Sequence, residues 1–196
     1  MNKQLLLIAL IILLGASVFV ACSDTPGRNK NMATLPDSAA LVMRGEYLVN
    51  TIGCDDCHSP KKMGPQGPEL IAELRFSGFP QNNKLPKVNL ENVKQGFIVF
   101  APDLTAAIGA WGVSFAGNIS SDATGIGNWT EANFLRAIRH GKLKGLEGSR
   151  SLLPPMPWNV YRNMNDTDLR SIYAYLKTTK PVENLVPAPM PLSALQ

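Results

Sequence analysis

Cysteine is scarce in this chain, three residues in 196, and an odd count of that size does not build a disulfide framework. Aromatic residues make up only 7%, while glycine and proline number 16 and 15, so part of the chain must be irregular loop. There is one long apolar run, which excludes a protein of several membrane spans. The net charge of +4 is mild and no basic block is dense, so nucleic acid is not an expected partner. No internal repeat is visible. Nor does the sequence carry a nucleophile paired with a base, a dense carboxylate pair or a nucleotide-binding loop, which speaks against an enzyme acting by itself. What is present is 45% hydrophobic and 17% charged residues, enough for one sizeable core and too apolar for a disordered chain.

The apolar run lies at the start. Lys3 supplies a short positive region, and Leu5 to Val20 is apolar apart from small residues, which is marginally short for a relaxed membrane span. It ends in Phe19-Val20-Ala21-Cys22, which resembles a bacterial lipoprotein signal with Phe in place of the usual Leu. Residues 1–21 are then a signal peptide and Cys22 is the lipidated residue. The alternative is an uncleaved anchor helix with an incidental cysteine. Both place the rest of the chain outside the cytoplasmic membrane, on the periplasmic side, held by an anchor. Residues 22–38 are small and polar, with Pro26, Gly27 and Pro36, and read as a flexible tether. The folded domain is expected over residues 39–186, and residues 187–196 as a proline-rich tail within an extended strap that starts near Pro181.

Three segments carry a helical period. Leu41, Gly45, Leu48, Val49 and Ile52 recur at three or four residues and stop at Gly53. Thr130 is a good N-cap for a helix striped by Phe134, Leu135 and Ile138 and ended by Gly141. Asn165 to Asp168 opens a third, with Leu169, Ile172, Tyr173 and Leu176 on one face and Pro181 barring continuation. Residues 59–128 show no strong strand alternation and are rich in Gly, Pro and Asn. They read as loop with short helical pieces, and a loop so long implies function.

Cys54-Asp55-Asp56-Cys57-His58 is the most informative stretch. Two cysteines three apart with histidine directly after is the attachment pattern for c-type haem. The thiols reach two vinyl groups of one haem, and the following imidazole sits under the iron. Zinc needs about four ligands, and only His140 and Cys22 remain outside the motif. A thioredoxin-like pair belongs beside a βαβ unit, and none is visible. A structural disulfide leaves His58 unexplained. A thioether is the usual sixth ligand for electron transfer, and Met156, set in Pro154-Pro155-Met156-Pro157-Trp158, is the candidate because the prolines fix its backbone. Met63, Met164 and Met190 fit less well, and His140 is the rival ligand. Asp55 and Asp56 read as solvent-facing spacers.

The set of Arg44 to Leu48, Cys54 to His58, Gly117 to Asp122, Thr124 to Thr130, Pro154 to Trp158 and Asp166 to Leu176 resembles the monohaem class I cytochrome c family, in its exported and lipoprotein bacterial branch. The resemblance extends over most of residues 41–186. It implies an all-α fold whose first and last helices cross around one covalent haem c, with Gly45 as the close-approach point against Leu169, Ile172, Tyr173 and Leu176. It also implies that the His58 ring N–H donates to a carbonyl in the proline segment after the motif, near Pro65 or Pro68. His58 and Met156 are 98 residues apart, longer than in small members, so residues 70–117 form a long loop insertion. Trp158 is expected on the haem face. Trp129 and Arg139 face a propionate or, respectively, pack in the core and stay solvated. Lys61, Lys62, Lys142 and Lys144 either steer an acidic partner or merely solubilise the surface. The implied function is single-electron transfer between redox partners in an extracytoplasmic respiratory chain, without catalysis. The alternative is the electron-accepting cytochrome subunit of a periplasmic dehydrogenase complex, and a third reading is a haem enzyme or gas sensor with an open sixth position.

Overall fold

A computed structural model describes residues 37–195. The expected signal peptide, Cys22 and nearly all of the tether therefore lie outside the described residues. The element order is helix α1 (Ser38–Thr51), helix α2 (Cys54–His58), strands β1 (Lys61–Gly64) and β2 (Gly67–Leu70), helix α3 (Leu90–Lys94), strands β3 (Val99–Phe100), β4 (Ala106–Gly109) and β5 (Gly112–Phe115), then helices α4 (Glu131–His140), α5 (Trp158–Tyr161) and α6 (Asp166–Thr178).

The three long helices follow from their periods and caps. Thr130 Oγ1 accepts from the Asn133 amide while the Asn133 side chain accepts from the Thr130 amide, a reciprocal capping box that opens α4. Gly141 ends it in the left-handed conformation, φ 61°. Asn165 caps α6 through the Asp168 amide at 2.7 Å. Helices α1 and α6 pack directly on each other, with Gly45, Leu48 and Val49 of α1 buried. A side chain at position 45 would overlap the Ser171 carbonyl and lie 2.7 Å from Tyr175 Cβ, so glycine permits the contact. The close approach is thus to Ser171 and Tyr175, one residue off the stripe expected to receive it. Val49, Phe76, Ile126, Leu169 and Leu176 form the centre of this helical core.

The expected all-α fold is corrected here: two antiparallel sheets make it mixed α and β. One is the β1–β2 hairpin, and the other has the order β3-β4-β5. The strands are only two to four residues long, and all four residues of β4 are buried, so no alternating pattern could reveal them. Both tight hairpins turn at Gly-x-x-Gly, with Gly64 paired to Gly67 and Gly109 to Gly112. The region read as a loop insertion therefore holds its own apolar clusters. Phe79, Ala101 and Ala106 form one, and Val93, Ile108 and Val113 another. The chain end joins the second cluster: Val113 and Met190 exchange backbone hydrogen bonds at 2.8 and 3.2 Å, and Leu192 and Leu195 pack beside them.

Candidate functional site

The five residues Cys54 to His58 form one short helix, entered through Gly53 in the left-handed conformation, φ 80°. Cys54, Cys57 and His58 are half-buried and both cysteines are free. Burial, then the charges of Asp55 and Asp56, push the Cys54 thiol up to about 12, and burial also raises Cys57. Burial disfavours the thiolate form of both cysteines, which speaks against a redox-pair reading.

His58 Nδ1 lies 2.7 Å from the Gly117 carbonyl oxygen. A carbonyl only accepts, so Nδ1 carries the proton. Desolvation lowers the pKa of the ring below the ordinary histidine value, against the opposing pull of Gly117, so the ring is neutral near pH 7. Its Nε2 therefore presents a free lone pair, the form in which imidazole binds a metal. The acceptor is Gly117, not the proline segment: Pro65 and Pro68 belong to the hairpin turn and its second strand. No local pattern marks a carbonyl 59 residues away in sequence.

Two loops hold His58. Gly78 N–H donates to the His58 carbonyl at 2.8 Å, and Ile119 N–H donates to the Phe76 carbonyl at 2.8 Å. Behind Gly117, buried Asn118 is saturated. Its Nδ2 donates to Thr124 Oγ1, Val182 O and Asn184 O, and its Oδ1 accepts from the amide and hydroxyl of Ser120. Asn184, also buried, donates to the Ser77 and Phe79 carbonyls at 2.7 and 2.9 Å. Buried amides with every partner supplied fix a backbone rigidly.

Asp55 is not the solvent-facing spacer expected of it. Its carboxylate accepts from Arg75 Nη2 at 2.6 Å and from Ser59 Oγ at 2.6 Å, and its side chain is 17% exposed. Arg75 also reaches Asn50 Oδ1 and lies 4.4 Å over the Phe76 ring. Asp56 is exposed, as expected.

Met156 is half-buried and packs against the same helical core as Cys54. Ser114 Oγ donates to the Pro154 carbonyl at 2.6 Å, which ties the proline-rich segment to β5. Five residues on, Tyr161 Oη donates to the Ile52 carbonyl at 2.8 Å, and burial with the neighbouring Cys54 and Cys57 raises its pKa. The segment that carries Met156 is thereby held beside the cysteine motif. Among its rivals, Met63 is 72% exposed, Met164 packs on the helical core, Met190 is bridged to Val113, and His140 is exposed at the end of α4. Trp158 lies against Gly141. Trp129 packs on the core, and its carbonyl accepts from Tyr173 Oη. Arg139 pairs with Asp166, joining α4 to α6. Lys142 Nζ donates to the Ser149 carbonyl, Lys62 and Lys144 are exposed, and Lys61 is fully engaged by backbone carbonyls. A cleft of about 210 Å³ has Lys61, Lys62, Lys84 and Asp103 in its wall but none of Cys54, Cys57, His58 or Met156.

No protein-family model matches the chain. Among curated proteins it is 39% identical, over 79% of its length, to the fructose dehydrogenase cytochrome subunit of Gluconobacter japonicus. It is 41% identical over 77% of its length to the cytochrome c subunit of a quinone alcohol dehydrogenase from Gluconacetobacter polyoxogenes. It is 28% identical over 85% of its length to the gluconate 2-dehydrogenase cytochrome c subunit of Pantoea cypripedii. These matches take in 24%, 25% and 27% of the relatives' own lengths, so the chain spans about a quarter of each. These relatives are cytochrome or cytochrome c subunits of dehydrogenases, and each likeness extends over most of this chain.

Proposed function

We propose that this chain is a monohaem class I cytochrome c domain that passes single electrons and serves as the cytochrome subunit of an extracytoplasmic dehydrogenase complex. The observation that carries the reading is the Cys54-Asp55-Asp56-Cys57-His58 helix with the His58 Nδ1–H committed to Gly117, which frees Nε2. The residues fit a covalent haem. Two protonated thiols stand on one turn, an imidazole lone pair follows, and Met156 lies on a segment that Tyr161 ties to Ile52 and Ser114 ties to β5. Cys54 and Cys57 would carry the thioether links, and His58 and Met156 would ligate the iron.

Bound haem supplies the one-electron couple between ferric and ferrous iron. The protein's part is to hold both ligands through the cycle. Gly117 fixes the imidazole plane, and the Asn118 network fixes Gly117. Cys54 and Met156 pack against the helical core, an apolar surrounding that favours a relatively high potential. Because the relatives named above are subunits of dehydrogenases, the subunit role is preferred to that of a freestanding carrier. A lipid on Cys22, after removal of residues 1–21, would tether the domain to a membrane on the periplasmic side.

The test is absorption spectroscopy of the full chain made with haem-attachment machinery, oxidised and reduced, with and without carbon monoxide, alongside Met156→Ala. A low-spin c-type spectrum that ignores carbon monoxide, and that changes in the variant, is the expected result. A wild-type protein that is high-spin or takes up carbon monoxide would favour the enzyme or sensor reading and remove Met156 as a ligand.

A further inference from the structure

Lys61 stands three residues after His58, at the first position of β1, half-buried in the wall of the cleft, and its ammonium is tied by backbone carbonyls rather than free. Nζ donates to the carbonyls of Asp55, Asp56 and Ser59 at 2.9, 2.7 and 2.9 Å, and to the carbonyl of Asp103 at 3.2 Å. Three of these oxygens belong to residues that flank Cys57 and His58. The fourth comes from the insertion, 42 residues away. An ammonium has three hydrogens, so four carbonyls saturate it and one bond is shared. A helix of five residues leaves its last carbonyls unpaired, and the lysine satisfies two of them. The adjacent Lys62 is exposed.

Building on the haem reading, we propose that Lys61 is a positioning residue: a fixed cation that holds the insertion against the haem-binding turn and raises the reduction potential of the iron that His58 would ligate. A charge tied by four backbone oxygens keeps its place in both oxidation states. Gaining an electron makes the site more negative, and a nearby stationary positive charge favours that state over the oxidised one. Solvent screens an exposed lysine such as Lys62 far more than one held within a carbonyl cage. The same cage links the potential to the insertion, because loss of the Asp103 contact would loosen the ammonium.

The experiment uses the full-length haem protein and has two readouts. Spectroelectrochemical titration compares wild type, Lys61→Met, Lys61→Arg and Lys62→Met. The expected result is a lower midpoint potential in Lys61→Met, recovery toward wild type in Lys61→Arg, and a smaller change in Lys62→Met. Amine labelling of the wild type followed by mass spectrometry is the second readout and does not depend on any variant folding. Lys61 should label more slowly than Lys62. A potential unchanged by Lys61→Met, or moved equally by Lys62→Met, overturns the proposal while leaving the haem reading intact. Equal labelling of the two lysines overturns it as well. A chain that takes up no covalent haem overturns the functional reading, and the electrostatic role falls with it.

Discussion

The helical core and the insertion core are built on different scales. In the first, side chains from long helices converge, and Val49, Leu169 and Leu176 are almost completely buried on elements of ten residues or more. In the second, strands of two to four residues bury Val113 and Ile108, helped by the chain end at Met190 and by the Phe79–Phe115 ring pair at 4.7 Å. The first gains its stability from area on regular faces. The second depends on turns and on segments brought from far along the chain. His58 sits where they meet: its own helix touches the helical core, and its ring is held by a carbonyl at the end of the insertion.

The largest expected effect comes from breaking the helical side at its tightest point. Gly45→Leu would drive a side chain into the Ser171 backbone and the Tyr175 Cβ, which neither helix can avoid without separating. The expected loss is about 3 kcal/mol or more, read by urea unfolding. Gly117→Ala, where an added Cβ meets nothing within 4 Å, is the control and should change stability little.

A paired deletion then tests whether the two cores unfold together. Leu176→Ala, in a site 2% exposed, should cost about 2–5 kcal/mol, and Val113→Ala, removing fewer atoms, about 1–2.5 kcal/mol. Amide exchange would show the difference. If Val113→Ala opens only the β3-β4-β5 sheet, the insertion is a separate cooperative unit, whereas equal loss of protection in α1 and α6 would make the domain one unit.

These differences in construction explain what could be read in advance. The helices were legible because period, cap and stop agree: Thr130, the Phe134 stripe and Gly141 each point to the same ten residues. The attachment motif was legible because its spacing is local. The strands were not, since two to four residues cannot display a period and Ala106 to Gly109 is buried throughout. The repeated Gly-x-x-Gly at Gly64 and Gly109 was the available signal for both hairpins. Nothing local could name Gly117 as the His58 acceptor, or assign Asp55 to Arg75 and Lys61 to the Asp103 carbonyl, because those partners are set by tertiary packing.

The junction between the two regions can be broken without touching either core. Asn118→Leu removes donors and acceptors for Thr124, Val182, Asn184 and Ser120, leaving the buried Asn184 carbonyl unpaired. The expected cost is about 1–3 kcal/mol. Because Gly117 is the preceding residue, the haem-loaded variant should also show a shifted potential or an altered spectrum. A loss of stability with an unchanged potential would show that Gly117 holds His58 without help from Asn118.

The smallest effect sharpens the same junction through pH. Asp122 accepts from the Thr124 hydroxyl and amide at 2.6 and 2.7 Å, and its carbonyl accepts from Gly125 and Gly127. The two Thr124 bonds hold its carboxyl below the ordinary aspartate range, the hydroxyl contributing most. A group depressed in the folded state binds fewer protons there than in the unfolded chain. Its contribution is therefore fully present above the ordinary aspartate value and is lost as the pH falls through the depressed one. Asp122→Asn keeps an acceptor oxygen but cannot titrate, so the loss of melting temperature on acidification should be shallower than in wild type. Because Thr124 also bonds Asn118 and the Asn184 amide, that slope reports the loop joining the two cores. A variant with the wild-type acid slope would assign the acid sensitivity to carboxylates outside this loop.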